Sequence, residues 1–260
     1  MSRALRLIFA VLVTLSFSSC ACSQKSYKHI LPRHSFVKIE KELSIQTCSD
    51  EGCVENTFSA VASGVVVQNT MRGAYVLTAA HVCDESDVIQ KYAHVSDTKI
   101  EFEFYVITLN NDKKPVQILD YDNAHDVCIV WVKNLFIQPV AIAPSGPEPG
   151  DIILNLAAPL GIFSNNMVPI FQGFYNGIDE KNRAVYSLPA YGGSSGSPIF
   201  NEKGELIGMV HSTIRHFNFI TLSPTYNAMR KFIYKTIDQH ISYRFLRILW
   251  SPFMLFDKVP

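Results

Sequence analysis

The feature that most constrains the fold is a long succession of short runs rich in Val, Ile, Phe and Tyr, separated by turn residues. Short strands at this spacing are typical of antiparallel barrels and sandwiches, whereas a parallel sheet requires helical patterns between its strands. The runs form two sets, divided by the Pro- and Gly-rich stretch 134–150. The predicted strands are Phe36–Thr47, Phe58–Gln68, Gly73–Ala80, Ile100–Leu109, Pro115–Asp120, Asp126–Lys133, Asp151–Ala158, Val168–Gly177, Ala184–Pro189, Ser197–Phe200, Glu205–Thr213 and Phe217–Leu222.

The end of the chain follows a different pattern. Apolar residues such as Met229, Ile233 and Ile237 recur at the spacing of an amphipathic helix. The aromatic tail after it is too short to span a bilayer, and we expect it either to pack as additional core or to contact a membrane or a partner. The predicted divisions are a signal peptide 1–23, an N-terminal segment 24–35, a first β unit 36–133, a linker 134–150, a second β unit 151–222, a C-terminal helix 223–240 and the tail 241–260.

Residues 1–23 have the composition of a secretory signal. Two arginines precede an apolar stretch of about ten residues, and small residues follow it. That stretch is shorter than the roughly 20 residues that a membrane-spanning helix needs, although an N-terminal anchor or a buried helix is the alternative. Cys20 also resembles a bacterial lipoprotein cleavage site, except that Phe17 stands where that pattern has Leu, Val or Ile. We therefore expect a secreted or periplasmic protein, and lipidation at Cys20 is a further hypothesis.

Removal of that segment changes the charge and the cysteine count. The 23 basic and 23 acidic side chains of the precursor become 21 and 23, a formal charge of −2, so a nucleic-acid binder with a basic face is not expected. Four cysteines remain, which allow three pairings. Cys48 and Cys53 enclose a turn-like sequence suited to a hairpin disulfide, which leaves Cys83 with Cys128. Four free thiols are the alternative, disfavoured by an oxidising compartment.

Three segments carry the residue types of a nucleophilic hydrolase. His81 ends the run Thr78–His81 after an apolar strand, Asp126 opens another strand, and Ser195 lies in the glycine-rich run Gly193–Pro198. In the order His, Asp, Ser, these segments resemble the trypsin-like (chymotrypsin-fold) serine peptidases, closest in motif to the HtrA-type and glutamyl endopeptidase branches. The resemblance implies an all-β fold of two six-stranded antiparallel β-barrels with a C-terminal α-helix. No PDZ-like peptide-binding module is recognisable after them.

The chemistry explains why these residue types are needed. A serine hydroxyl is a weak nucleophile, and a histidine with a pKa near 6.5 takes its proton and returns it to the leaving amine. A buried carboxylate fixes the tautomer of that histidine. The resemblance assigns these roles to Ser195, His81 and Asp126, and gives the amides of Gly193 and Ser195 the oxyanion hole.

The residue before the nucleophile departs from trypsin-type zymogens. Ser194 replaces the aspartate that holds a newly cut amino terminus there, so the same ion pair does not activate this chain. We expect maturation by signal removal alone, the alternative being another element that orders the oxyanion loop. Asp120 and Asp122 are also near a strand, but we expect them to be solvated turn acids, because the apolar strand directly follows Asp126.

The resemblance places Pro189, Ala190, His211, Ser212 and Thr213 in the walls of the primary specificity pocket. None is acidic, so a preference for Lys or Arg is not expected. A small or aliphatic residue before the scissile bond is the main prediction. A preference for Glu is the alternative, because glutamyl endopeptidases use a pocket histidine near the place of His211, although the register differs by one residue.

The expected function is that of an exported serine endopeptidase, which cleaves polypeptides without a metal or an organic cofactor. His81, Cys83, His125 and Cys128 have residue types that bind zinc, but a disulfide beside the triad is the preferred interpretation. A catalytically silent binding protein on the same fold, or an esterase or other acyl-transfer enzyme, is the remaining alternative.

Overall fold

The computed structural model describes residues 30–49, 52–92, 94–95, 97–214 and 216–250, and for 244–250 it describes only the backbone. The strands are β1 (Phe36–Ser49), β2 (Gly52–Thr70), β3 (Gly73–Thr78), β4 (Thr98–Thr108), β5 (Lys113–Asp122), β6 (Val127–Lys133), β7 (Ile152–Leu156), β8 (Ile170–Ile178), β9 (Arg183–Ser187), β10 (Pro198–Phe200), β11 (Leu206–Met209), β12 (Ser212–Ile214) and β13 (Phe217–Pro224). The helices are α1 (Ala80–Cys83), α2 (Ser86–Tyr92) and α3 (Tyr226–Trp250), with 3-10 turns at Arg33–Ser35 and Pro159–Gly161.

The first six strands close into an antiparallel barrel in the order β1-β2-β3-β6-β5-β4. Every residue of β3 is buried, because this continuous apolar strand faces the barrel interior on one side and is covered on the other. On the covered side the hydroxyl of Tyr75 lies 3.0 Å from Nδ1 of His240 in α3. The first barrel is therefore closed by pairing and capped on one face by the C-terminal helix.

A long hairpin, formed by β1 and β2, projects from this barrel. The two strands pair over the whole of β1 without a bulge, and the disulfide Cys48–Cys53 closes the tip, as predicted. β3 pairs only with Val65–Thr70 of β2, whereas β4 pairs with β1 out to Thr98. The outer part of the hairpin is therefore a three-stranded sheet, β4-β1-β2, with β2 at its edge. The sequence pattern missed the first six residues of β2, because they are mostly polar.

The second lobe is an antiparallel sheet in the order β11-β10-β7-β8-β9-β13-β12. Its edge strands β11 and β12 are consecutive in the chain and are joined by Val210 and His211. The Val210 amide donates to the Ser197 carbonyl (2.9 Å), whereas the His211 amide donates to the Leu222 carbonyl (3.0 Å). The pairing partner of this segment thus changes from β10 to β13. The sheet curls back on itself, but it lacks the continuous hydrogen-bond ladder that closes the first barrel. If β11 and β12 are counted as one strand, the second lobe has the predicted six strands. The all-β fold class with a C-terminal helix is confirmed.

The linker between the lobes is bound to both. The Val140 amide donates to the Val66 carbonyl of β2 (2.9 Å), and the Ala143 amide donates to the Leu206 carbonyl of β11 (3.0 Å). At the start of α3, the Tyr226 hydroxyl donates to the Ala143 carbonyl. These bonds fix the linker against both sheets and against the helix.

Helix α3 buries Met229, Phe232, Ile233 and Ile237 against the lobes, which accounts for the periodic apolar pattern. It continues to Trp250, ten residues beyond the predicted end at 240. Within the described ranges no helix has the length and apolar character needed to cross a membrane. The predicted signal peptide, Cys20, most of the segment 24–35 and the end of the tail lie outside the described residues, so the expectations for them stay predictions.

Candidate active site

His81, Asp126 and Ser195 come from three separate parts of the chain. His81 lies in α1 just after β3, Asp126 directly precedes β6, and Ser195 lies in the loop between β9 and β10. Strands β3 and β6 are antiparallel neighbours in which Thr78 pairs with Cys128. This pairing brings His81 and Asp126 side by side at one rim of the first barrel.

The Asp126 carboxylate holds His81 through both its ring and its backbone. Nδ1 of His81 lies 2.8 Å from Oδ2 and 3.0 Å from Oδ1 of Asp126, and the His81 amide donates to Oδ1 at 2.9 Å. Asp126 adopts a φ of 54°, in the left-handed region that Asp tolerates better than most residues. The Asp126 side chain is 19% exposed and that of His81 is 50% exposed. A proton on Nδ1 facing the carboxylate leaves Nε2 as the basic nitrogen.

The disulfide Cys83–Cys128 ties the two elements together. Each cysteine follows a site residue by two positions, Cys83 after His81 and Cys128 after Asp126. The bond thus joins α1 to the start of β6 beside the His–Asp pair, as predicted. It also excludes the zinc hypothesis, which would need both cysteines as thiolates.

Ser195 shares a cavity of about 320 Å³ with His81. The Ser195 carbonyl accepts the Ser63 amide of β2 at 2.8 Å, which fixes the loop that carries Ser195 against the first barrel. Among the described residues, no hydrogen bond joins the Ser195 hydroxyl to the His81 ring. Catalytic hydrogen bonds of this kind often shorten only in the substrate complex.

In the loop before Ser195, the amides of Gly192, Gly193 and Ser195 lie outside the backbone hydrogen-bond network of the described residues. The Ser194 amide donates to the Tyr191 carbonyl (2.8 Å), whereas the amides of Gly193 and Ser195 donate to no backbone carbonyl in the described part of the chain. Gly193 has a φ of 96°, and a Cβ there would collide with the Ala158 carbonyl. Glycine is therefore required at 193, and the unpaired amides include the two, Gly193 and Ser195, that the resemblance assigns to the oxyanion hole.

A buried serine from the first barrel orders this loop. The Ser63 hydroxyl is fully buried, donates to the Gly193 carbonyl (2.8 Å) and accepts the Ala158 amide (3.1 Å). The Leu160 amide donates to the Gly192 carbonyl at 2.6 Å. The loop is thus held by groups from outside itself, and the expected maturation by signal removal alone stays a prediction. The polar Ser63 within an otherwise apolar run is the sequence signal for this role.

A second cavity, of about 480 Å³, opens beside Ser195. Of the predicted pocket residues, four line it and Pro189 does not, because neighbouring residues of an extended chain point to opposite sides. The Ala190 amide donates to the Asn218 carbonyl at 2.9 Å and fixes this wall. The lining residues are Ala190, Tyr191, Gly192, Ser195, Val210, His211, Ser212, Thr213 and Asn218, of which Tyr191, Gly192, Val210 and Asn218 were not predicted.

His211 faces the Asp126 carboxylate as well as this cavity. Its Nδ1 lies 3.5 Å from Oδ2 of Asp126. Burial lowers the pKa of His211, and the positive charge of Arg183 lowers it further, against the opposing effect of Asp126. These effects favour the neutral form of the His211 imidazole. The two imidazoles of His81 and His211 approach the same carboxylate.

The other acids near the site do not contact His81. Asp120 and Asp122 lie in β5 and not in a turn. Oδ2 of Asp120 accepts the Thr236 hydroxyl at 3.4 Å, and Oδ2 of Asp122 lies 2.8 Å from Nδ1 of His125. The hydrogen bond from His125 lowers the pKa of Asp122.

Two barrel units with a serine and a His–Asp pair on the cleft between them define the chymotrypsin-like fold of serine endopeptidases. A model of the trypsin-like peptidase domain matches residues 62–209, more than half of the chain. The chain therefore belongs to the trypsin-like peptidase domain family, and it is a hydrolase of the serine endopeptidase class, as predicted.

Solved structures share this fold at low sequence identity. The serine endoprotease from Yersinia pestis superposes with a TM-score of 0.59 and 19% identity, over 82% of this chain and 67% of that one. The HtrA-type protease AlgW with a decapeptide superposes with a TM-score of 0.63 and 14% identity, over the same shares. No curated protein matches the chain significantly in sequence.

Proposed function

We propose that the chain is an exported serine endopeptidase in which Ser195 is the nucleophile, His81 the general base and acid, and Asp126 the orienting carboxylate. The observation that carries this proposal is the bond from His81 Nδ1 to Asp126, on a ring that shares a cavity with Ser195. It supports the tautomer in which Nε2 is free to accept the serine proton.

In the first half of the reaction, Oγ of Ser195 bonds to the carbonyl carbon while its proton moves to Nε2 of His81. The carbonyl electrons pass to the oxygen, which the amides of Gly193 and Ser195 stabilise. Breakage of the C–N bond then releases the amine with the proton from His81, and an acyl-enzyme remains.

In the second half, water replaces the amine. His81 accepts a proton from the water as its oxygen bonds to the acyl carbon, and returns that proton to Oγ of Ser195 as the ester bond breaks. The carboxylic acid leaves and the hydroxyl is restored. Asp126 stabilises the imidazolium in both halves.

We propose a small or aliphatic residue before the scissile bond. The cavity beside Ser195 has small walls at Ala190, Ser212 and Thr213, and among the described residues no carboxylate lines it to pair with Lys or Arg. A Glu preference would draw on a cationic His211, whereas the pKa of His211 is lowered and its Nδ1 faces Asp126. One methylene in such a pocket changes selectivity by only about 1–3 kcal/mol, so we expect a graded preference.

Export is proposed from the signal-like composition of residues 1–23. The two disulfides support it, because such bonds persist in oxidising compartments and are rare in the cytosol. Mass spectrometry of the mature protein checks it: a start near Gln24 is expected, and an unprocessed N-terminus contradicts it. A lipid on Cys20 would identify a lipoprotein.

A fluorophosphonate probe tests the catalytic assignment on the mature protein. Labelling that maps to Ser195 and is lost in Ser195→Ala supports an active nucleophile, whereas no labelling indicates a catalytically silent binding protein. A peptide library then measures the residue before the scissile bond. Predominant cleavage after Arg or Glu contradicts the proposed preference, and hydrolysis of esters without cleavage of peptides contradicts the endopeptidase assignment.

A further inference from the structure

Helix α3 is longer than the stripe of buried residues that holds it to the lobes. That stripe ends with the buried Ile237 and the half-buried His240. Directly after it, Ile241 is 44% exposed and Tyr243 is 61% exposed. The helical backbone nevertheless continues to Trp250, about 15 Å beyond His240 at 1.5 Å per residue. The distal part of α3, residues 241–250, therefore needs an explanation other than packing along this stripe.

The apolar pattern of the helix changes sides after residue 240. At about 100° per residue, the positions that continue the buried stripe are occupied by Arg244 and Arg247. Ile241, Phe245 and Leu249 recur at helical spacing on the outward side, the side that is exposed in the first part of the helix. The helix thus has its apolar positions toward the lobes before residue 240 and on the outward side after it.

The helix is also strongly basic. It contains five basic residues and one acidic residue, a formal charge of +4, whereas the mature chain as a whole carries −2. Arg230, Lys231 and Lys235 are exposed on the outward side of its first part. From Asp238 to Asp257 the sequence has no other acidic residue. The outward side of α3 is therefore cationic first and apolar after it.

This combination is typical of a helix that lies in the plane of a membrane interface. Such helices bury an apolar face about 5–10 Å into the boundary of headgroups and acyl chains, and their Lys and Arg residues interact with anionic lipids. Tryptophan and tyrosine, here Tyr243 and Trp250, are enriched at the level of the headgroups. The arginines at 244 and 247 occupy the side opposite to the apolar positions, so only one side of the distal part is suited to enter the lipid.

We propose that the outward side of α3 binds an anionic lipid surface. The apolar positions of the distal part enter the interface, and the exposed cations of the first part lie at the lipid headgroups. Charge complementarity favours this occupant over a second copy of the chain, because two copies of α3 carry the same positive charge and repel each other. The proposal goes beyond peptide cleavage, since it places the protein on a membrane whether or not Ser195 reacts.

Sedimentation with lipid vesicles tests the proposal on the mature protein without a lipid at its N-terminus. We expect vesicles with about one third phosphatidylglycerol to bind it about tenfold or more tightly than vesicles of phosphatidylcholine alone. Raised salt should weaken the binding, because it screens the attraction between exposed charges. Equal affinity for the two kinds of vesicle, or no binding to either, overturns the proposal.

A pair of apolar substitutions tests the distal part of the helix. Ile241→Ser with Phe245→Ser should weaken binding to the anionic vesicles about tenfold or more, because it removes apolar area that enters the interface. The matched control is Ile170→Ser with Phe174→Ser in β8, where the same residue types are 50% and 49% exposed. The control should bind like the wild type. Unchanged binding in the first pair, or the same loss in both pairs, contradicts the proposal.

Urea unfolding shows whether the Ile241→Ser, Phe245→Ser pair acts through the fold instead. We expect its unfolding midpoint to equal that of the wild type, because Ile241 is exposed and Phe245 occupies the same outward side. A lower midpoint in this pair but not in the β8 pair shows that the distal part packs as additional core, and it overturns the proposal.

A pair of charge substitutions tests the first part of the helix. Lys231→Gln with Lys235→Gln should weaken binding to the anionic vesicles about tenfold or more, at roughly fivefold for each cation near the surface. Lys91→Gln with Lys99→Gln is the matched control, because it removes two exposed lysines from α2 and β4. If the control weakens binding as much, total charge and not the outward side of α3 governs the attraction, and the proposal fails.

Trp250 reports whether the distal part enters the lipid. The chain has two tryptophans, so the difference in emission between the wild type and Trp250→Phe isolates Trp250. We expect this emission to shift to shorter wavelength when anionic vesicles are added, and to be quenched by lipids with brominated acyl chains. Binding without quenching, or equally tight binding to soluble heparin, makes a polyanion the occupant and overturns the proposal.

Two further measurements separate the remaining outcomes. In sedimentation equilibrium without vesicles we expect a monomer, and a dimer that Ile241→Ser with Phe245→Ser dissociates overturns the proposal by making a second copy the occupant. Ser195→Ala should bind the anionic vesicles as tightly as the wild type does, because lipid contact does not involve the proposed nucleophile. Loss of vesicle binding in Ser195→Ala contradicts the proposal.

Discussion

Ser63 offers the sharpest test of how the fold builds the site, because it lies outside the three proposed catalytic residues. Ser63→Ala removes the hydroxyl that donates to the Gly193 carbonyl and accepts the Ala158 amide. Each of the two buried groups left without a partner costs about 1–3 kcal/mol, so we expect the free energy of unfolding to fall by roughly 2–6 kcal/mol. Loss of one oxyanion donor lowers turnover about 10²–10³-fold, and this is the largest fall in kcat expected if the Gly193 amide is misplaced. We expect kcat to fall about 10- to 100-fold with little change in KM.

Urea unfolding and steady-state peptide cleavage measure the two effects separately. Ser35→Ala is the matched control, because Ser35 is also buried and its hydroxyl donates to the Gln138 carbonyl at 2.6 Å, in another part of the fold. It should lower the free energy of unfolding by about 1–3 kcal/mol and leave kcat unchanged. If both variants retain the wild-type kcat, Ser63 does not position the oxyanion loop and the reasoning is wrong.

Three further predictions concern the groups around the His–Asp pair. Asp126→Asn keeps an acceptor for the neighbouring amide but presents a donor to the ring, so kcat should fall about 10⁴-fold, and a loss under tenfold would contradict the assignment. A Cys83→Ala, Cys128→Ala double variant removes a crosslink between two residues that are 45 positions apart in sequence. Urea unfolding should show that the free energy of unfolding falls by about 4 kcal/mol, more than when the hairpin disulfide is removed. Because the pKa of His211 is lowered in the folded state, the unfolded chain binds more protons just below pH 6.5, and stability should decrease there as the pH falls. His211→Asn should remove that part of the loss of stability. Urea unfolding of the wild type and the variant at pH 5 and pH 8 measures it, and an unchanged pH profile would refute the prediction.

Much of the fold was predictable because local patterns and tertiary structure agree. The twelve predicted strands are all present, with β11 and β12 replacing the single run Glu205–Thr213. That run breaks because its middle changes partner from β10 to β13, which no local pattern records. The first residues of β2 were missed for a related reason. Their polar sequence has no strand pattern of its own, and they are extended because β1 pairs with them.

The site residues were predictable only where a chemically reactive residue type stands next to a recognisable strand pattern. His81 and Asp126 follow and precede apolar strands, so their segments stand out in the sequence, and the disulfide partners lie two residues from each. Pro189 was assigned to the pocket without knowing which side of the extended chain it faces. The contact of His211 with Asp126 depends on the register of the crossing between β11 and β12, which the sequence does not reveal.

The position of Ser195, the proposed nucleophile, is a consequence of how the two lobes meet. The carbonyl of Ser195 accepts the Ser63 amide from the first barrel, and the amide of Gly196 donates to Val210, in the crossing segment of the second lobe (2.7 Å). A relative displacement of the lobes would therefore alter the loop that carries Ser195 through bonds on both of its sides. Since about 1 Å of misplacement can cost roughly 10² in rate, while a single net hydrogen bond is worth only about 1 kcal/mol of stability, turnover should be more sensitive than the free energy of unfolding to changes at this junction.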